Sequence, residues 1–220
     1  VLSLQGLSTS LNGQVTVPVA TDDHTLTITD DDATGGVVTF DLLDGGPGNV
    51  RVVINAGNLQ IFEGPNLRTE APLAGIGSLV INGTSGADTL TVDLAGGDPI
   101  PGGGLTFNGG ADASGDTLVL TNGAVTTSTH SFTNDSDGTV DLDGSMITYT
   151  GLEPIMDNLD VANRIFSFTG GAETITLNAG GAFDNQIDSD LGEIVDFTNP
   201  TTSLTILTTG GTGSDTVEIE

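Results

Sequence analysis

Cysteine, lysine and tryptophan are absent from the 220 residues, and the chain has one tyrosine and three arginines, at 51, 68 and 164. Without cysteine there is no disulfide, thiolate ligand or thiol nucleophile. An exported chain of this kind is held by its strand ladders, its core or bound metal. Three arginines against 30 acidic residues leave a formal charge of -27, which repels nucleic acid and anionic membrane surfaces alike. No apolar run approaches the roughly 18 residues that a membrane-spanning helix needs. The chain opens at Val1 without a basic leader or an apolar signal core, so it reads as a mature product or excised piece of an exported polypeptide. Helical patterning is also scarce, because Gly, Thr, Val and Ile are weak helix formers and no long stretch carries a 3.6-residue apolar period. The nearest candidate, 152–166, predicts at most a turn or two of helix.

What the chain has in excess is glycine (33), threonine (33) and aspartate (23, against 7 glutamates). The aspartates stand beside Gly and Asn, in turn-forming company, which favours a turn or cation-binding role over a general brine-adapted surface. Between these turns run short alternating segments such as TLTVDL (89–94), TITL (174–177) and TVEIE (216–220). Their period of two predicts half-buried strands.

Four blocks share one grammar: 78–94, 104–120, 164–177 and 202–219. Each is a strand, a glycine-rich turn carrying an acid, and a Thr-led strand. A drifted fifth copy occupies 25–40. One unit cannot bury its own apolar face, so copies must stack. The predicted fold is therefore all-β, a parallel β-solenoid with hairpin insertions. Its inward ladders run from Leu79 and Ile81 through Leu105, Phe107, Phe166 and Ile175 to Leu204, Val217 and Ile219. Residues 1–20 read as an N-terminal strand, a cap or an exchanged strand, and 21–220 as the repeat array. The insertion 121–163 is expected to loop out of it. Asn-Gly and Asp-Gly pairs are hairpin signals, with TVDLDGSMITY (139–149) the best of them. They keep antiparallel β-sandwich domains open as the rival fold.

The stretches LVINGTSGADTLTVDLAGG, GLTFNGGADASGDTLVL, TVDLDGSMITYTGLEPI and FTNPTTSLTILTTGGTGSDTVEI resemble the β-strand-repeat modules of large bacterial surface and secreted proteins. That resemblance implies an extracellular, non-catalytic module of a longer polypeptide. Gly210, Gly211, Gly213, Asp215 and Val217 are also similar to one nonapeptide of the repeats-in-toxin family. That family stacks such units in tandem with an ion between turns, and here no glycine-rich turn stands nine residues earlier.

Calcium takes six to eight oxygens, so no single aspartate is a site. Asp88, Asp116, Glu173 and Asp215 are the candidate calcium ligands, provided equivalent turns stack as neighbours. The competing reading has each acid accept hydrogen bonds from turn amides. TDDD (29–32) and NDSDGTVDLDG (134–144) read as solvated turns. The second fails as an EF-hand loop, since Gly144 falls where a bidentate Glu is required. His24 and His130 lack any metal-binding spacing, and no nucleophile or phosphate-loop motif occurs. Three arginines and no lysine cannot line a polyuronate lyase groove without metal, whereas a pair of aspartates at glycosidase separation is the conceivable catalytic alternative. Outward threonine ranks of the kind used to bind ice are broken at Val119 and Glu218.

The expectation is therefore a non-enzymatic structural module of an extracellular or cell-surface assembly: a filament, surface layer or adhesin stalk, with calcium as the candidate cofactor. A polysaccharide-binding or polysaccharide-hydrolysing β-helix is the alternative. Strand-like sequence at both ends, in VLSLQGLSTSLNGQVTVPV and in the final TVEIE, predicts open edges that pair with another copy. Partners are thus a homo-oligomer or filament through terminal strands, with no nucleic acid and no membrane insertion.

Overall fold

A computed structural model describes residues 35–43, 48–110, 115–168, 170–208 and 213–220. The expected N-terminal strand (1–20), its boundary with the array, His24, TDDD and Gly210–Thr212 lie outside the described residues. The chain divides at Ala33/Thr34, and all described residues belong to the second unit.

Among the described residues, eighteen strands fill two sheets. In the first, β1 (Gly36–Asp41), β5 (Ile76–Asn82), β7 (Leu105–Asn108) and β11 (Ser145–Thr150) lie side by side, followed by β10 (Gly138–Leu142), β9 (Ala124–Phe132), β13 (Asp160–Phe168) and β17 (Ser203–Leu207). The second runs β4 (Asn66–Pro72), β3 (Asn58–Glu63), β2 (Asn49–Asn55), β6 (Thr89–Asp93), β8 (Asp116–Thr121), β12 (Leu152–Asp157), β16 (Val195–Phe197), β15 (Asn185–Ser189), β14 (Thr174–Ala179) and β18 (Thr216–Ile219). The chain alternates between sheets, and the coils β1/β2, β5/β6, β7/β8 and β11/β12 stack in parallel. This is the β-solenoid the repeats predict, of about four turns.

Period-two alternation produces the core. Strand β8, DTLVLT, alternates buried and half-buried residues along its length. Leu79, Ile81, Leu90, Val92, Leu105, Phe107, Leu118 and Leu120 are all at most 1% exposed. Each such side chain contributes roughly 1.5–3 kcal/mol of burial, and stacking in register supplies the neighbours that a lone coil lacks. Asn82, Asn108 and Thr150 continue the register at the coil corners: Asn108 donates to Asn82 Oδ1 at 2.7 Å and Thr150 to Asn108 Oδ1 at 3.4 Å.

Three expectations are corrected. The segment 121–163 does not loop out. After β8 the chain steps two positions ahead in the first sheet as β9, then folds back through β10 and β11 to fill the gap beside β7. Strands β14, β15 and β16 repeat this step in the second sheet. The predicted helical turn in 152–166 is instead β12 and β13, which pair in parallel with β8 and β9 and bury Leu152, Ile155, Val161, Arg164 and Phe166. Finally, Leu204, Val217 and Ile219 are not buried: they are 36%, 43% and 78% exposed. Strands β17 and β18 each have one strand neighbour among the described residues, so no described coil covers their outer side.

The hairpin expected at Asp143-Gly144 is present, with both residues at positive φ (53° and 97°). Asn82-Gly83 and Asn108-Gly109 are corners between sheets instead. Gly109 is required there by close approach: a Cβ on it would overlap Asp116 Oδ2.

Candidate functional site

The repeated acid has one structural job. The Asp88 backbone N–H donates to Asp116 Oδ1 of the next coil (2.7 Å), while the Asp88 carbonyl accepts from the Thr117 N–H (2.8 Å). Glu173 and Asp215 repeat the pattern: the Glu173 N–H donates to Asp215 Oδ1 (3.2 Å), and its carbonyl accepts from Thr216 (2.9 Å). The acid-Thr dipeptide is thus a staple, joining the coil before it to the coil it starts. Asp88 also closes its own turn by accepting from the Thr84 N–H (2.5 Å) and hydroxyl (3.0 Å).

The four candidate ligands therefore meet as two pairs. Asp88 and Asp116 open β6 and β8; Glu173 and Asp215 precede β14 and β18. Between β8 and β14 stand β12, β16 and β15, which at about 4.8 Å per strand separates the pairs by roughly 19 Å. One ion cannot bridge them. Asp88 and Asp116 are each 1% exposed and Glu173 is 5% exposed, and Asp88 Oδ1 has no hydrogen-bond partner. Burial raises the Glu173 carboxyl, with Asp215 and Asp190 adding to the rise against a hydrogen bond from Ser189. Among the described residues no group of three or more His, Asp or Glu side chains is placed to hold a metal ion.

The 134–144 cluster serves turns, as expected. Asn134 Oδ1 accepts from the Ser136 and Asp137 amides, and Asp137 Oδ1 from Gly151. Asp143 accepts from Thr126 and Thr127.

Sequence reasoning missed the polar centre of the core. His130 and Ser128 of β9, Asp157 of β12 and Arg164 of β13 are all 0% exposed. Asp157 Oδ2 accepts from Arg164, from His130 Nε2 (2.9 Å) and from Ser128 (3.4 Å), and its Oδ1 accepts from the Leu159 N–H (3.1 Å). Burial alone would raise Asp157, but His130 and Arg164 together hold it below the usual carboxylate range. His130 moves the other way. Burial pushes it down, and the Arg164 charge adds to this, outweighing the pull of Asp157. The ring is therefore neutral, with its proton on Nε2 toward Asp157 and Nδ1 left as an acceptor without a partner. The Phe166 ring packs on it and Phe197 on Phe166, with Arg164 5.3 Å above the Phe197 ring centre. The clue was phase. Ser128 and His130 alternate in step with Phe132, and Arg164 with Phe166 and Phe168, so the inward phase carries polar residues.

The other two arginines also hold buried acids: Arg51 pairs with Asp93 (3.1 Å) and Arg68 with Glu63. Every Lys or Arg in the chain is thereby committed. Glu193, in the β15–β16 turn, is left without one. It is 1% exposed, and neither Oε1 nor Oε2 has a hydrogen-bond partner.

A cavity of about 250 Å³ lies beside this turn, lined by Phe132, Phe168, Asp135, Glu173 and Asp190 among others. No helix of the described residues is long and apolar enough to cross a membrane. No family model, curated protein or solved structure matches the chain.

Proposed function

We propose that this chain is a non-catalytic structural module of an extracellular assembly, built to continue coil on coil through its open strand edge, with calcium able to stiffen its acidic turns. The observation that supports this reading is the β17/β18 coil. Its outer backbone edge has no strand partner among the described residues, and Leu204, Leu207, Val217 and Ile219 are 36–78% exposed there. A solenoid coil in that state offers hydrogen bonds and apolar surface together, which is the template for strand addition. At the opposite end β4 carries Arg68 on Glu63 and Asn58 on Glu70, beside Leu67 of β4 and Val37 of β1 at 46% and 66% exposure. Association of copies through the β17/β18 edge should appear in sedimentation velocity as a rise in mass with concentration. The pair Leu207→Lys and Ile219→Lys should abolish that rise while leaving the circular dichroism spectrum intact. A wild-type chain that stays monomeric at millimolar concentration, with and without calcium, would overturn the proposal.

A carbohydrate-active reading has one supporting observation, the cavity in which the raised carboxyl of Glu173 stands beside Asp190 above Phe132 and Phe168. Acid and base in one apolar-floored pocket suit glycosidic chemistry. A panel of polysaccharides tested for reducing-end release by wild type and Glu173→Gln separates the two: release lost in the variant would favour the enzyme.

A further inference from the structure

Three turns meet at the cavity of about 250 Å³ and bring together side chains that the strands keep apart. The β9–β10 turn supplies Asp135, the β13–β14 turn Gly170, Gly171 and Glu173, and the turn after β15 Asp190 and Leu191. Phe132 and Phe168, the last residues of β9 and β13, form the floor with ring centres 4.8 Å apart. The cavity thus has an apolar floor and an acidic wall. Glu173 is 5% exposed; its Oε2 accepts from the Ser189 hydroxyl (2.7 Å), while Oε1 has no hydrogen-bond partner among the described residues. Asp190 accepts from the Thr174 N–H through Oδ1 (3.0 Å) and is exposed, as is Asp135.

Two glycines keep this wall open. A Cβ on Gly170 would stand 3.7 Å from Glu173 Oε1 and 3.8 Å from Leu191 Cδ1, and one on Gly171 3.7 Å from Leu191 Cδ1. These are ordinary contacts with no backbone in the way, and neither glycine has a positive φ. A methyl there would occupy space without strain. Charge and shape decide what the space suits. No basic side chain lines the cavity, the chain has no lysine, and its three arginines are on Asp93, Glu63 and Asp157. The complementary charge has to come from outside the chain. A metal ion is the wrong shape, because no three acids among the described residues are placed to share one. An extended cation reaches acceptors that stand apart, and the volume is below the roughly 300–1,000 Å³ of drug-sized pockets.

We propose that this cavity binds an alkylammonium group, its apolar stem on Phe132, Phe168 and Leu191 and its head among Asp135, Glu173 and Asp190. An ammonium carries three donors for these acceptors, and Glu173 Oε1 accepts whether or not Oε2 holds a proton. Aromatic rings add attraction for a cation that a neutral head lacks. The group belongs to a lysine of a different protein or to a free diamine, since a second copy has no lysine to offer. The site uses neither the β17/β18 edge nor bond cleavage, so it stands or fails separately from both readings above.

Amide-resolved NMR titration of the full chain at pH 7.5 tests this, with n-butylammonium, 1-butanol and butyrate as probes that differ in the head group. Butylammonium should give saturable shifts at Phe132, Phe168 and the three turns, in the millimolar range that so small a ligand reaches. It should bind at least tenfold more tightly than 1-butanol, and butyrate should not bind. Gly170→Ala combined with Gly171→Ala should weaken binding at least tenfold with the charge untouched. Asp135→Asn combined with Asp190→Asn should do the same with the space untouched. Asp143→Asn, in the β10–β11 hairpin, should leave it within twofold. Titration with 1,5-diaminopentane and with the capped peptide acetyl-Gly-Lys-Gly-amide separates the sources: tighter binding of the peptide assigns a partner's lysine, and tighter binding of the diamine a free ligand. Equal affinity for 1-butanol and butylammonium, no saturable shift at these residues, or undiminished binding in the glycine double variant would overturn the proposal.

Discussion

Asp157 and Glu193 are both carboxylates sealed inside the same solenoid, at 0% and 1% exposure, and they are solved in opposite ways. Asp157 sits at the end of β12 with four donors, one of them a guanidinium, and its carboxyl is lowered. Glu193 sits in a turn with no hydrogen-bond partner, and its carboxyl is raised to about 9. The difference lies in the supply of cations. A chain with three arginines can neutralise three buried acids, and here they go to Asp157, Asp93 and Glu63. The repeat acids Asp88 and Asp215 manage with backbone amides and staple one coil to the next. Glu193 has neither solution, so at neutral pH it keeps its proton.

The largest expected effect comes from making Asp157 resemble Glu193. Arg164→Met removes the buried guanidinium and leaves an uncompensated charge, which should cost about 3–5 kcal/mol in chemical denaturation. Adding Asp157→Leu to that variant should recover much of the loss, since an apolar pair of similar volume is commonly neutral or better than a buried ion pair. No recovery would mean that the centre acts through packing around Phe166 and Phe197.

The converse change comes next. Glu193→Gln, without divalent ions at pH 8, should raise stability by an amount on the order of a few kcal/mol, because each tenfold change in proton affinity on folding corresponds to about 1.4 kcal/mol. The pH profile sharpens this. A carboxyl raised from 4.5 to about 9 on folding contributes stability that is fully present below pH 4.5 and is lost as pH rises through 9. The polar centre gives the opposite slope. Neutral His130 opposes protonation, so stability falls as pH drops below its unfolded value of 6.5, and Asp157 adds a loss as pH falls below 3.8. Glu193→Gln should flatten the alkaline limb of wild type and leave the acid limb unchanged. A flattened acid limb would show that the two carboxyls are coupled.

Gly109→Ala should cost less, roughly 1–3 kcal/mol by overpacking, since the new methyl overlaps the Asp116 carboxylate. It probes the third way of holding an acid, the backbone-amide staple. A loss of under about half a kcal/mol in thermal or urea unfolding, below that overpacking range, would show that Asp116 can swing away without breaking that staple.

Alternation and repetition made the solenoid legible: Leu79, Leu105, Leu118 and Ile175 face inward as their phase requires. The acid-Thr dipeptides were legible as repeats, but their staple geometry needs the next coil, which spacing within one copy does not supply. The two-step weave through β9–β11 and β14–β16 left no local mark, because a strand inserted antiparallel between parallel neighbours has the same period of two as they have. Ser128, His130 and Arg164 could have been read from their phase with Phe132 and Phe166. Asp157 likewise alternates with Ile155 and Leu159, but its donors Ser128 and His130 come from β9, far along the chain. Glu193 carries no sequence signal at all: what distinguishes it is the absence of a partner, a property of the folded chain.

Ser128→Ala gives the smallest effect and the finest test of how Asp157 is held. The Ser128 hydroxyl donates to Asp157 Oδ2 at 3.4 Å, longer than the 2.9 Å contact from His130, and it lies 3.3 Å from the same imidazole nitrogen. An intramolecular hydrogen bond contributes about 0.5–1.5 kcal/mol net, and one this long, to an oxygen already served by Arg164 and His130, belongs at or below the lower end. The expected loss is about 0.5 kcal/mol in urea unfolding, with the acid limb of the pH profile unmoved. A loss above about 2 kcal/mol, more than one such bond supplies, would mean that the hydroxyl fixes the His130 tautomer, since without it Nε2 and Nδ1 could exchange roles and Asp157 would lose two donors at once. Asp157 would then sit closer to the condition of Glu193 than its four donors suggest.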